Sequence, residues 1–567
     1  MDFPSIPPAS PGVEAFLQPL RVDRGRIHTM AGEFSSVFTH LAAESLDQFL
    51  PTPISESILL PFSQKKKNQG RYLAIDIGGT NLRVGFIELL GDDGDDDDSV
   101  QHNGQTNGTK PLTNGHRNGF QNGEPLPDET QGVSDESAIP HKRAPKKATL
   151  RRLHERNWSI QDHLKSQNAD SLFAWIGSCI ASVVQVGCLC LGLSREAPLP
   201  MGVTFSFPME QESLSEAKLM SMGKGFAMTA KLDLGSHLIT GYNKARLEDK
   251  VVLPPITIAA ISNDSVSTLV SFVYEVPAVA NQKAAMGLIC GTGSNATLLL
   301  KRSKLHPSKR KATGAPCTDN LDGCIDDEKV AINTEWSING SAPAMRAVNL
   351  ISRWDDELSL SVESPGFQPL EYMTSGRYLG ELGRIMLLDY MVSVLGVDAA
   401  SVPAKFLNKF EPRNTMFLSR FRPGESTALF TMLESEFPTC NSNFNWTEEI
   451  AEVLYHIAKA IETRAAAIIA AAIVGLLDCA DELPPATNQP AEKVNLVVGY
   501  TGGCITNFQD YLADCQAFLD VLMAEHYGSL ASSPVRIVLS PCHDGGIKGA
   551  GILVPASLAS QGLLDTV

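Results

Sequence analysis

Three times along this chain an apolar run stops at a turn built from glycine and threonine, and apolar residues follow it. LAIDIGGTNLRVGF spans Leu73–Phe86, LICGTGSNATLLL begins at Leu288, and VVGYTGGCI begins at Val497. In the first, Ile75 and Ile77 flank Asp76, and Leu82, Val84 and Phe86 alternate after Asn81. That period-two pattern predicts strand, tight turn, strand, and the other two stretches predict the same design. Glycine lets a ligand approach the backbone and threonine adds a hydroxyl, so such turns suit phosphate groups. One Gly-Thr turn is usually just a hairpin, whereas three facing a common cleft can grip a nucleotide from both sides. None has GxxxxGK[ST] spacing, and GGTNLR leads into a strand where a dinucleotide fingerprint leads into a helix, which argues against a P-loop enzyme or a dehydrogenase.

A chain of 567 residues exceeds one hydrophobic core, so two domains are expected, with an added flexible segment. Strand-like runs (MGVTFSF, ITIAAIS, MGLIC, ATLLLK, VNLVVGY, RIVLS) alternate with helical ones, which makes the class α/β. Ile27, Met30, Phe34, Val37, Phe38 and Leu41 predict a helix within 24–49, and Thr447 followed by Glu448 and Glu449 predicts the start of a long one. Ala465–Leu477, preceded by Arg464, falls short of the roughly 18 apolar residues of a membrane span and reads as a buried helix. Between 91 and 148 an aspartate run, repeated Asn-Gly and a basic close carry too little apolar surface to order themselves. This insertion is read as a disordered loop and a candidate docking segment for a protein partner, and the strand pattern resumes after it at TLRRLHERNWSI. The charged stretch 301–329 is read as a second solvated loop. A formal charge of −17 argues against a nucleic-acid partner. Eleven scattered cysteines without a CxxC pair read as reduced thiols, and MDFPSIPPASPGVEAF lacks a secretory-type start, so a cytoplasmic location is expected.

The motif order resembles the hexokinase family of the sugar kinase, Hsp70 and actin superfamily. DIGGTNLRV is similar to its first phosphate hairpin, and MGVTFSFPMEQESLSEAKLMSMGKGF to its sugar signature LGFTFSFPxxQxxxxxGxLxxWTKGF. SNDSVSTL corresponds to NDTVGTL, GLICGTGSNA to GxIxGTGxNA, AINTEWSING to xINTEWGAFG, FQPLEYMTSGRYLGELGR to QxFEKMxSGMYLGExxR, and HDGGIKGAGIL to a DGSGKGAAL helix start. The resemblance implies a two-domain actin-like ATPase fold, ribonuclease H-like, with a sugar and ATP cleft between the domains. Its division is an N-terminal helical segment (1–70) packing on the large domain, a small domain (71–262), a large domain (263–547), and a C-terminal helix (548–567) returning toward the small one. Its activity is ATP- and magnesium-dependent phosphorylation of the 6-hydroxyl of a hexose, with Asp264 as the base and Lys224 as a cation beside the reacting centre. Ser206, Asn263, Asn295, Glu335, Gln368 and Glu371 are implied sugar contacts. Gly78, Gly79, Thr80, Asn81, Arg83, Thr292, Gly293, Thr501, Gly502, Asp544, Gly545 and Gly549 are implied ATP contacts, and Asp76 holds magnesium through water.

Three departures stand out. WTKGF reads Met222-Gly223-Lys224-Gly225-Phe226, so a sugar-binding threonine hydroxyl is missing; Ser267 replaces the glycine of NDTVGT; and WSING replaces WGAFG. A pocket altered in this way makes N-acetylglucosamine a serious candidate beside glucose, as in fungal hexokinase-like proteins that phosphorylate amino sugars. The rival reading is a catalytically weak sugar sensor or regulator.

Overall fold

The computed structural model of the chain describes residues 3–59, 70–90, 150–161, 163–164, 169–220, 232–248, 251–275, 281–310, 328–409, 412–424, 427–439, 444–485 and 493–561. The 91–148 insertion and the Met222–Phe226 segment with Lys224 lie outside them. After a short helix (Pro11–Leu17) the chain runs through helix α1 (Arg24–Glu44) and strand β1 (Leu50–Ser55). It then builds a sheet from β2 (Gly70–Ile77), β3 (Asn81–Leu89), β4 (Leu150–Ser159), β5 (Leu199–Phe205) and β8 (Ile256–Ser262), the two-residue strands β6 (Met209–Glu210) and β7 (Lys218–Leu219) forming a separate ribbon. The order is β4-β3-β2-β5-β8: three antiparallel strands, then two parallel ones. Leu89 pairs with Leu150, so the strand pattern does resume across the insertion.

β9 (Gln282–Cys290), β10 (Ser294–Lys301), β11 (Lys329–Asn333), β12 (Val494–Thr501) and β13 (Val535–Pro541) repeat that topology as β11-β10-β9-β12-β13, with β1 added outside β11. The first two glycine turns recur because each joins the leading hairpin of its sheet, β2 to β3 and β9 to β10. The third departs from the predicted hairpin. β12 runs into a short helix, Gly503–Asn507, not a strand. Gly502 holds φ 129°, and a Cβ there would lie 2.2 Å from the Cys290 carbonyl oxygen, so only glycine fits this turn.

Helices α2 (Ala169–Cys190) and α3 (Leu234–Glu248) pack together against the first sheet. Two others exchange sheets: α4 (Asp264–Glu275) leaves β8 and packs on β9 of the second sheet, whereas α7 (Gly545–Ser560) leaves β13 and packs on β5 and β2 of the first. Where α7 crosses β5, a Cβ on Gly202 would lie 2.0 Å from the Ala550 carbonyl oxygen. The two sheets are thus joined through a pair of crossing helices.

The long helix α5 (Glu448–Cys479) starts where the sequence predicts, with the Thr447 hydroxyl accepting from Ile450 N at 3.2 Å. By length and composition α2 and α5 are apolar enough to cross a membrane, but the most apolar window of α5 is 100% buried, among α1, α6 (Tyr511–Tyr527) and the Leu379–Ser393 helix. It is a core helix here. The solvated-loop reading of 301–329 fails for its first third. Lys304 Nζ donates to Cys479 O at the end of α5 (2.7 Å), and Lys309 Nζ donates to Ser45 O at the end of α1 (2.5 Å). Lys304 satisfies a last-turn carbonyl at the negative end of α5, and Lys309 the carbonyl of the extended residue that ends α1.

Candidate active site

The two sheets and the crossing helices enclose a cleft of about 270 Å³. Turn 1 contributes Gly78, Gly79, Thr80 and Asn81 to its lining, flanked by Asp76 and Arg83; turn 2 contributes Thr292, Gly293 and Asn295; turn 3 contributes Thr501 and Gly502. Ser206, Asn263, Asp264, Glu335, Gln368, Glu371, Asp544 and Gly545 complete the residues expected from sequence. Lys224 falls outside the described residues. Gly549 does not line the cleft; a Cβ on it would lie 2.2 Å from the Ser267 carbonyl oxygen, so its lack of a side chain serves the α4–α7 crossing.

One side of the cleft is a fan of hydrogen-bonding groups. Glu335 Oε1 accepts from Asn333 Nδ2 (2.9 Å) and Asn295 Nδ2 (3.3 Å), and Asn295 Nδ2 also reaches Asn333 Oδ1 (2.8 Å). Glu371, buried at the start of a short helix (Pro369–Thr374), accepts from Ser294 N at 3.0 Å. Burial, with the charge of Glu371 beside it, pushes the Tyr378 hydroxyl well above its usual range. Asn263 and Asp264 sit at the end of β8. Asn263 Oδ1 accepts from Ser265 N (2.9 Å) and Ser265 Oγ (2.8 Å), so its acceptor caps α4, and its amide Nδ2 is only 3.4 Å from Phe207 O. Asp264 Oδ1 accepts from Ser265 N at 2.8 Å.

The other side is charged. Asp76 and Arg83 are cross-strand partners in the β2–β3 register, 4.0 Å apart at Oδ2 and Nε. Asp544 bridges Arg83 Nη1 (2.5 Å) and Arg152 Nη1 (2.8 Å), tying the start of α7 to β3 and β4. Burial pushes the Asp76 carboxyl up to about 7; Arg83 pulls against that, and the charges of Asp264, Asp544 and Glu155 push the same way as burial. Among the described residues no three metal-ligating side chains come together, so a divalent cation would have to arrive with a nucleotide, with Asp76 as the carboxylate beside it. Gly546 has no Cβ to occupy the space 2.6 Å from Asp76 Oδ2.

Comparison with known proteins decides the family. One hexokinase family model matches residues 12–121 and 142–274, and a second matches 285–556. The chain belongs to the hexokinase family. Hexokinase-1 of Arabidopsis thaliana is 29% identical over 400 residues, 70% of this chain and 72% of that protein. Human hexokinase HKDC1 is 27% identical over 397 residues, 70% of this chain but only 37% of the relative's length. A hexokinase from Schistosoma mansoni, solved in complex with glucose, superposes with TM-score 0.65 and 21% identity over 96% of this chain and 98% of that one. The two-domain actin-like fold of hexokinases is therefore the fold here.

Against the hexokinase pattern, Ser267 is not a pocket residue. It is fully buried beneath the cleft, where its hydroxyl lies 2.6 Å from Thr204 Oγ1 and 2.5 Å from Ser262 Oγ, and Thr204 Oγ1 donates on to Gly546 O at 2.8 Å. This relay fastens α4 to β5, β8 and α7. Ser267→Ala should lower stability by about 1–3 kcal/mol, read as a fall in the thermal midpoint, with no change in sugar preference. An altered preference at unchanged stability would return Ser267 to the pocket. Ile338 does line the cleft, where WGAFG has alanine. Thr268 is a cleft residue that the motifs do not single out. It lines the cleft one helical turn after Asp264, and its buried Oγ1 has no hydrogen-bond partner among the described residues, an orphan that a phosphate oxygen would satisfy. Its helical spacing from Asp264 was the available signal.

Proposed function

We propose that this hexokinase-family chain transfers the γ-phosphoryl group of ATP to the 6-hydroxyl of a hexose. The observation that carries the reading is convergence: Asp264 lines one cleft with the Asn295–Glu335–Glu371 fan and with all three glycine turns. Carboxylates and amides accept and donate to several sugar hydroxyls at once, which fixes the acceptor before reaction. Asp264 takes the proton from the attacking hydroxyl. Backbone N–H groups of the turns, with Thr268 and Arg83, hold the phosphates; Lys224 adds positive charge by resemblance. Magnesium, once bound, neutralises phosphate charge, and Asp76 is the residue to hold it through water. The domain division follows the same reading, with closure about α4 and α7 excluding water that would compete with the sugar.

Two of the altered residues do not enlarge the cleft: Ser267 is buried beneath it, and Ile338 is bulkier than the alanine of WGAFG. That favours an unsubstituted hexose such as glucose over N-acetylglucosamine. ADP release measured with both sugars side by side tests this. Preference for the amino sugar would reverse the order, and ATP hydrolysis without sugar phosphate would overturn the kinase reading. Absence of turnover with retained sugar binding would leave the sensor.

A carboxyl whose pKa is raised is protonated below that value, so Asp76 gains its charge as pH rises through about 7. Affinity for magnesium-ATP should therefore strengthen between pH 6 and 8, roughly in step with that ionisation. Asp76→Asn should bind weakly at every pH and flatten the profile. An unchanged slope in that variant would assign the pH dependence elsewhere.

A further inference from the structure

Glu335 has an unusual backbone. It sits at φ 46°, a left-handed conformation that non-glycine residues seldom adopt, and its carbonyl oxygen accepts from Gln48 Nε2 at 3.0 Å. Gln48 comes from the turn between α1 and β1, 287 positions away in sequence, and is 3% exposed. The next residue, Phe49, is also left-handed at φ 53°, and Phe49 N donates to Thr334 O at 3.0 Å. Two strained residues therefore face each other where β1 meets β11, one of them bearing the carboxylate of the sugar fan. Strain of this kind persists only where neighbours over-determine it.

The neighbours are specific. Gln48 N donates to Ser45 Oγ at 3.1 Å, while Lys309 Nζ donates to the carbonyls of Ser45 and Gln48, each at 2.5 Å. A Cβ on Gly340 would lie 2.6 Å from Gln48 Oε1, so the amide is packed against the loop that follows Glu335. Burial pulls the Lys309 ammonium down to about 8, partly offset by Asp47. The ammonium is only half-buried, and two of its protons are committed to fixed carbonyls.

We propose that Gln48 is the positioning residue that aims Glu335 at the sugar, and that Lys309 locks Gln48 in place. The proposal rests on Glu335 being a sugar contact. Without the amide donor the Glu335 peptide can relax from its left-handed conformation, and its carboxylate leaves the direction set by Asn295 and Asn333. The nucleotide side, built from other turns, is untouched.

The test is a KM-against-kcat split in the full chain. Gln48→Leu, of similar volume but without a donor, should raise the KM for hexose roughly 2- to 12-fold, the range for one lost hydrogen bond, with kcat and the KM for ATP nearly unchanged. Lys309→Met should move the same constant in the same direction, and serves as the probe if Gln48→Leu does not fold. In a Glu335→Ala background Gln48→Leu should add nothing, since its route to the sugar is gone. An unchanged hexose KM in Gln48→Leu, or a full further loss in the Glu335→Ala background, overturns the positioning role. Should Glu335→Ala itself leave the hexose KM unmoved, what fails is the underlying assignment of Glu335.

Discussion

Asp264→Asn should lower kcat for hexose phosphorylation roughly 100- to 10,000-fold, the range for losing a general base, while sugar binding survives. Asparagine keeps the size of the side chain and can still accept from Ser265 N, the bond that Asp264 Oδ1 makes at 2.8 Å. What it cannot do is take a proton. A purely structural role for Asp264 would instead appear as a fall in thermal midpoint with kcat little changed. A second consequence follows from the charge. Asp264 is one of the anions that hold the Asp76 carboxyl up near 7, so its neutralisation should move the midpoint of magnesium-ATP affinity to lower pH. Calorimetric titration of sugar into the variant, beside stopped-time assays of sugar phosphate, reads both. Turnover within tenfold of the parent would remove Asp264 from the chemistry.

The parts of this site that can be read in the sequence are the local ones. Asp76 and the first two glycine turns are visible, as is the Thr447 cap of the core helix α5 outside the site, because alternation, a tight turn or a cap is written within a few neighbouring residues. The third turn reads as a hairpin in sequence because Gly503-Cys504-Ile505 carries no period of its own. Gly502 turns the chain against the Cys290 carbonyl, and that carbonyl belongs to another strand. The same limit explains Gly549 and Ser267. Within their motifs they look like ligand positions, yet each is set by how closely α7 approaches α4 and β5, a distance that sequence does not contain. Lys309 looked like part of a solvated basic tract because its carbonyl partner Ser45 lies 264 positions away. Side chains that touch the ligand tend to sit in recognisable motifs, whereas those that hold them there are recruited from anywhere the fold passes. Gln48 is of the second sort.

Asp355→Ala is the substitution expected to cost most stability outside the cleft, about 3–5 kcal/mol. Arg464, fully buried on α5, makes a two-pronged pair with Asp355, Nη1 to Oδ2 at 2.7 Å and Nη2 to Oδ1 at 2.8 Å, and Nη1 also reaches Leu350 O at 3.3 Å. Asp355 Oδ2 accepts from Ser352 N (2.7 Å) and Ser352 Oγ (2.5 Å) as well, closing a capping box on the helix Arg353–Ser361. Alanine would leave a guanidinium in a dry core with no counter-charge and would open a helix start at the same time. The pair itself need not be a net stabiliser, because taking two charges out of water offsets most of their attraction. The double change Asp355→Leu with Arg464→Met should accordingly recover much of what Asp355→Ala loses, the missing cap accounting for about 1 kcal/mol of the remainder. Urea unfolding followed by tryptophan fluorescence compares the three, since Trp354 stands beside the pair in sequence and is itself buried. If Asp355→Ala unfolds within about 1 kcal/mol of the parent, water reaches Arg464 and the core around α5 is looser than its packing indicates.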